Sequence, residues 1–263
     1  MSLRNNGKQK EGITIETKRL NGNCAEDIVI AAELLKNGGL VAIPTETVYG
    51  LAADATNGAA VERIFKAKGR PQDNPLIVHI SSYEQLEQLV SHIPEHAKRL
   101  METFWPGPLT VILPKSNLVP DQVSAGLPTV AVRFPSHPTA RAVIQKAGVP
   151  LAAPSANVSG SPSPTAAAHV LHDLDGKIDA VIDGGPCTVG LESTVITLAE
   201  ETPILLRPGA VTLEQLQQVL GTVKMADAVL HQLEQGSVAA SPGMKYKHYA
   251  PKAKLILLEG SDE

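Results

Sequence analysis

Lys66, Lys68 and Arg70 place three cations within five residues, and a rigid Pro71 follows them. Such a set can clamp phosphate, Arg through a forked pair of donors and Lys as a point charge. Cations at a helix end also complement the helix dipole, by roughly 0.3–1 kcal/mol, so a purely structural reading stands beside the functional one. Asn74 and His79 come next, on a loop and in an apolar strand where a histidine is ordinarily a hydrogen-bonded core residue. A second candidate is PTETVYGL (44–51), which sets Thr45, Glu46, Thr47 and Tyr49 directly after an apolar run. Loops at strand ends are where α/β proteins bind ligands. The alternative is a solvated turn whose threonines bond their own backbone.

Three further segments carry polar groups at strand ends. In TVAVRFP (129–135), Arg133 lies on the opposite face from Val130 and Val132. It is either the solvent side of a half-buried strand or, with both faces covered, an arginine that needs a carboxylate or phosphate partner. LAAPSANVSGSPSPT (151–165) crowds Ser155, Asn157, Ser159, Ser161 and Ser163 into one turn-rich loop. Hydroxyls and exposed amides there can cradle an anion, although a plain Ser/Pro loop has the same composition. DGGPCTVGLESTVI (183–196) and LLRPGAVT (205–212) bring Ser193, Thr194 and Arg207 to strand ends. His169 and His172, at helical spacing without a nearby Cys or Glu, read as surface histidines, and no metal site is expected.

Several familiar devices are missing. The sequence holds no GxxxxGK[ST] loop, no GxGxxG after a strand and no GxSxG elbow. Any nucleotide must therefore be held by another scaffold, and no serine nucleophile is indicated. Cys24 and Cys187 form no CxxC pair, which excludes a zinc knuckle and favours reduced thiols.

These loops must be positioned by a frame of short strands and helices. Apolar spacing predicts helices over 25–36 and 59–68, each stopped by glycine, and others over 83–91, 95–104, 137–147, 165–172 and 212–220. Strands are expected at 40–43, 76–80, 109–113, 129–134, 180–183, 193–198 and 203–207. Their interleaving points to an α/β fold with one mixed, twisted sheet, parallel early and antiparallel after residue 180. With 43% hydrophobic and 19% charged residues and a net charge of −4, the chain can build a large core and is no strongly basic nucleic-acid binder. Aromatics at 3% exclude rows of base-stacking platforms. No stretch approaches the ~18 apolar residues of a membrane span, and the polar start lacks a secretory pattern, so a cytoplasmic protein without membrane contact is expected.

Taken together and in this order, PTETVYGL, KAKGRP..NPL, FWPGPLT, VRFP, PSAN.SG and ESTVI with LRPG resemble the YrdC-like family of threonylcarbamoyl-AMP synthases. The likeness runs from about residue 25 to 212. It implies a twisted open-barrel α/β fold around a deep, positively lined cavity. It implies a nucleotidyltransferase that turns L-threonine, bicarbonate and ATP into threonylcarbamoyl-AMP and pyrophosphate, for modification of tRNA. By the same likeness Thr47, His79, Arg133, the backbone at Ala153 and Ser193 hold L-threonine. Arg70, Asn74, Thr129, Ser155, Ser163 and Arg207 hold ATP, and the family's catalytic set falls on Lys68, Arg70, Ser155 and Asn157. Mg²⁺ accompanies the ATP without a dedicated protein site, and the product passes to a threonylcarbamoyl transferase that acts on tRNA.

The division of the chain expected on this basis is a tail and first segment over 1–24, a catalytic domain over 25–220, a linker over 221–253 and a strand opening a second domain over 254–263. SPGMKYKHYAPKAKL resembles the linker of the longer, two-domain members, with Tyr246 expected to touch nucleotide and His248 or Tyr249 as alternates. The chain ends soon after it, which implies that the C-terminal domain is missing. Three rival readings remain: an RNA-binding module, weakened by the net charge, a carbamoyl-transfer enzyme, weakened by the absence of zinc-finger cysteines, and an inert paralogue, against which the intact Lys68, Arg70, Ser155 and Asn157 set argues.

Overall fold

The structure is a computed structural model and describes residues 16–230. Among these residues eleven strands form one mixed sheet: β1 (Lys18–Asn21), β2 (Val41–Ile43), β3 (Gly50–Asp54), β4 (Ile77–His79), β5 (Leu109–Pro114), β6 (Thr129–Arg133), β7 (Leu151–Ala152), β8 (Ala180–Asp183), β9 (Thr194–Thr197), β10 (Ile204–Arg207) and β11 (Lys224–Met225). Nine helices accompany them among the described residues: α1 (Ala25–Lys36), α2 (Gly58–Lys68), α3 (Tyr83–Leu89), α4 (Glu95–Phe104), α5 (Asp121–Ser124), α6 (Pro138–Ala147), α7 (Ala167–Leu174), α8 (Leu213–Leu220) and α9 (Asp227–Leu230). The sheet runs in the order β1-β8-β2-β3-β7-β4-β6-β5-β9-β10-β11 and does not close on itself.

Pairing is mixed throughout. β8 lies parallel to both β1 and β2, β4 is parallel to β6, and β5 is parallel to β9. The antiparallel pairing expected after residue 180 holds for β9 with β10 but not for β8, which crosses to the far end of the sheet. The reason is burial. Ala180, Val181 and Ile182 are all enclosed, as an interior parallel strand requires, and the seat between β1 and β2 supplies cover on both faces. β1 and β3 were not foreseen from periodicity: KRLN buries only Leu20, and GLAAD is built from small residues that propensity assigns weakly to strands.

Residue alternation sends each strand's side chains into different cores. Ala42, Leu51 and Val78 join the large core under α2, α3, α4 and α7. Val41, Ile43 and Leu151 face the opposite way, against α1 and α6. α2 matters most for the site. Asn57 caps it by accepting from the Ala60 amide, Val61, Ile64 and Phe65 bury its apolar stripe, and Gly69 ends it at φ +62°. That left-handed turn swings Arg70 off the helix axis while Lys68 points inward. No helix among the described residues is long and apolar enough to cross a membrane.

Candidate functional site

The ends of β2, β4, β6, β7, β9 and β10 converge with the C-terminus of α2 on one cleft, which opens to solvent. Thr47, Lys68, Arg70, His79, Arg133, Ala153, Ser155, Asn157, Ser193 and Arg207 all line it. Residues up to 160 positions apart in sequence are thus brought onto one wall.

On one side Arg133 is the hub. It ends β6, aligned with His79 of parallel β4 and with Thr110 of antiparallel β5. Its guanidinium is only 3% exposed. Nη2 lies 2.7 Å from Glu46 Oε1, Nη1 donates to Thr47 Oγ1 at 2.8 Å, and Nε reaches the Gly107 carbonyl at 3.3 Å. The Thr45 hydroxyl donates to the Val48 carbonyl at 2.6 Å, so Thr47 supplies the proton of the 2.9 Å bond between the two threonines. Both faces of β6 are covered, and the carboxylate partner that a buried arginine requires is Glu46. Burial pushes the Glu46 carboxyl up, but the Arg133 charge and its hydrogen bonds outweigh this and hold it below the usual range. Tyr49 points away from the cleft and donates to the Gly185 carbonyl at 2.7 Å, so it braces the loop after β8.

His79 sits beside this pair. Burial, with Arg133 adjacent, pushes its imidazole down to about 3, and Nδ1 has no hydrogen-bond partner. The ring is therefore neutral at physiological pH. Between the unfolded value near 6.5 and about 3, the unfolded chain binds a proton that folded His79 refuses, so stability falls as the solution is acidified through that window. His79→Gln is expected to flatten this fall in urea titrations repeated from neutral pH down to about pH 5. A variant whose acid slope runs parallel to wild type would remove His79 as the cause.

Across the cleft, Lys68 is 3% exposed and donates Nζ to the Ser155 and Asn157 carbonyls. Burial, then the neighbouring Arg70 charge, lower its amine to about 7. Asn157 in turn donates to the Val158 and Ser161 carbonyls, at 2.9 and 2.7 Å, and so folds the PSAN loop onto the end of α2. Arg70 lies 5.8 Å over the Phe65 ring and donates to the Asn74 carbonyl at 3.3 Å. Arg207 bonds Ser193 through Nε (3.0 Å, carbonyl) and Nη2 (3.1 Å, hydroxyl), and Ser193 is 2.7 Å from Thr110 Oγ1.

Three expected residues stand elsewhere. Asn74 is fully buried with both carboxamide atoms unpartnered but does not line the cleft. Thr129 begins β6, four residues from Arg133, and is likewise absent from the lining. Ser163 lies just outside it and donates to Glu192 Oε1 at 2.5 Å. Tyr246, His248 and Tyr249 lie outside the described residues, as does the expected strand at 254–263. Two carboxylates went unassigned from sequence: Glu46, and Glu192, which lines the cleft beside Ser193. The need of a covered Arg133 for a carboxylate was the signal for the first; its adjacency to Ser193 in ESTVI was the only signal for the second.

Comparison with known proteins fits this geometry. The Sua5/YciO/YrdC family model, described as "Telomere recombination", matches residues 33–209. A threonylcarbamoyl-AMP synthase of Bacillus subtilis (strain 168) is 52% identical over 257 residues, 97% of this chain and 73% of its own. Its counterpart in Pyrococcus abyssi (strain GE5 / Orsay) is 55% identical over 233 residues, 89% of this chain and 68% of its own. The crystal structure of P. abyssi Sua5 complexed with L-threonine superposes with a TM-score of 0.85 at 53% identity, covering 91% of this chain and 70% of that one. One expectation is overturned. A second family model, "Threonylcarbamoyl-AMP synthase, C-terminal domain", matches residues 211–263, so the C-terminal domain is not missing. The expected linker over 221–253 lies inside that match. With one model covering the cleft-forming residues and close relatives aligned across most of the chain, this protein belongs to the Sua5/YciO/YrdC family.

Proposed function

We propose that this chain is a nucleotidyltransferase that makes L-threonylcarbamoyl-AMP from L-threonine, bicarbonate and ATP, releasing pyrophosphate, for the threonylcarbamoyladenosine modification of tRNA. The observation that carries the reading is the meeting, in one cleft, of a buried arginine seat and a separate cluster built on Lys68 and Arg70. A zwitterionic amino acid suits the first, and a polyphosphate suits the second.

In this reading Thr47, His79, Arg133, the Ala153 backbone and Ser193 hold L-threonine, its carboxylate toward Arg133. Lys68, Arg70, Ser155, Asn157, Ser163 and Arg207 serve ATP, with Asn74, Thr129 and Tyr246 assigned to it by likeness alone. The chemistry balances without covalent help from the protein. The threonine ammonium loses one proton, and its free amine attacks the bicarbonate carbon and expels water. The resulting carbamate oxygen attacks the α-phosphorus, and the bond to the bridging oxygen breaks to release pyrophosphate. Charge grows on the phosphates as that bond breaks, and fixed cations such as Arg70 stabilise it without reorganising. Mg²⁺ carried by ATP would add charge neutralisation at the leaving pyrophosphate; Glu192 by itself makes no cage for it. The product would pass to a threonylcarbamoyl transferase.

Pyrophosphate release from ATP is expected to require L-threonine and bicarbonate together, measured with each present or omitted. Release that proceeds without threonine would count against the synthase reading and favour a carbamoyl-transfer enzyme.

A further inference from the structure

Charge is distributed unevenly in the cleft. Lys68, Arg70 and Arg207 line it on the side assigned to ATP, while the Arg133 side carries its own counter-ion. An arginine in such a cleft would attract phosphate as readily as a carboxylate, and the two substrates differ in this respect. L-Threonine brings one carboxylate beside an ammonium, and ATP brings a chain of anionic phosphates.

Glu46 changes what Arg133 can bind. Its side chain and that of Arg133 are 8% and 4% exposed, with Oε1 2.7 Å from Nη2. Its Oε2 accepts from the Ser136 amide at 3.2 Å, and its own carbonyl accepts from the Val189 amide at 2.8 Å. Arg133 lines the cleft and Glu46 does not, so the carboxylate grips the guanidinium from behind. Thr47 and the Gly107 carbonyl hold its other nitrogens. The result is a set of fixed N–H donors whose charge is already balanced, next to a neutral imidazole. A single carboxylate accompanied by its own ammonium fits that seat. A polyanion would enter beside the buried Glu46 charge at an arginine whose own charge is already balanced.

We propose that Glu46 is a positioning residue that reserves the Arg133 seat for the carboxylate of a zwitterionic amino acid and closes it to phosphate. The inference rests on the assignment of Arg133 to threonine made above. The test is the pattern of pyrophosphate inhibition, read against ATP and against threonine separately. In wild type, pyrophosphate is expected to compete with ATP and not with threonine. Glu46→Gln keeps the shape but leaves Arg133 uncompensated, so pyrophosphate should now compete with threonine too, its inhibition constant on that axis falling about tenfold or more. Glu46→Asp retains the charge and should keep the wild-type pattern, a distinction that a merely structural role would not produce. An unchanged pattern in folded Glu46→Gln would overturn the proposal. So would threonine-competitive pyrophosphate in wild type, a measurement that needs no variant to fold. Failure of the underlying assignment looks different: wild type would then bind no L-threonine in calorimetry.

Discussion

Arg70→Ala is expected to cut threonylcarbamoyl-AMP formation by roughly 10²–10³-fold, the loss seen when one fixed donor to developing charge is removed. The fold should survive. Arg70 follows the helix-ending Gly69, lies over Phe65 and is only partly buried, so its removal opens no enclosed cavity. Thermal unfolding should shift by the small amount typical of surface substitutions, within about 0.5 kcal/mol. The informative comparison is turnover with saturating ATP and threonine, alongside a melting curve. Arg70→Lys should recover only part of the rate, because an ammonium cannot reproduce the planar fork. Wild-type turnover by the alanine variant would take Arg70 out of the mechanism.

Arg133→Ala should act on stability first. It leaves Glu46 buried and uncompensated, a loss of about 3–5 kcal/mol in comparable pairs. The pH dependence separates this cause from simple loss of packing. In wild type the Glu46 carboxyl is held below its usual range, so its contribution is present above about pH 4.5 and is lost as pH falls through the folded value. In the variant, burial is opposed only by backbone hydrogen bonds such as that from the Ser136 amide, and it favours the protonated form. The gap between the two urea midpoints should therefore begin to narrow above about pH 4.5, as Glu46 of the variant takes up its proton, and narrow further below it, as wild type loses the contribution of its carboxylate. A gap constant with pH would mean that packing, not the orphaned charge, sets the cost. Arg133→Ala/Glu46→Ala should be more stable than Arg133→Ala alone.

Much of this arrangement could be read from residues. α1 and α4 fall where apolar spacing and end signals place them, to the residue, because a helix declares itself through local periodicity. β3 does not, since Gly50 to Ala53 carry no alternation and are strand only because β2 and β7 flank them. The cleft followed the same division. Lys68 and Arg70 lie at the end of α2, which the pattern located, and meet Ser155 and Asn157 after β7, which it did not. Thr129 shows the limit. It shares β6 with Arg133, yet four residues of extended chain set them about 13 Å apart, which likeness of motif does not convey. The partnership of Glu46 with Arg133 was half legible: each residue was noted, and the requirement for a carboxylate was stated, but the pairing joins residues far apart in sequence and depends on tertiary placement.

The position of β1 at the sheet edge has a consequence for biosynthesis. Its single neighbour among the described residues is β8, which it meets in parallel register from Lys18 with Ala180 to Asn21 with Asp183, and the Thr17 hydroxyl bonds the Ile178 carbonyl across 161 positions. A nascent chain emerging from the ribosome at about 5–20 residues per second must wait roughly 8–30 s between exposing β1 and delivering its partner. Until β8 arrives, β2 also lacks one of its two neighbours and presents an unpaired backbone edge. Lys18 and Arg19 give the waiting segment charges that discourage pairing with strands of other chains. Translation past Asp183 is thus the event that commits this half of the molecule to fold, and pausing before it would prolong the period of greatest exposure to aggregation.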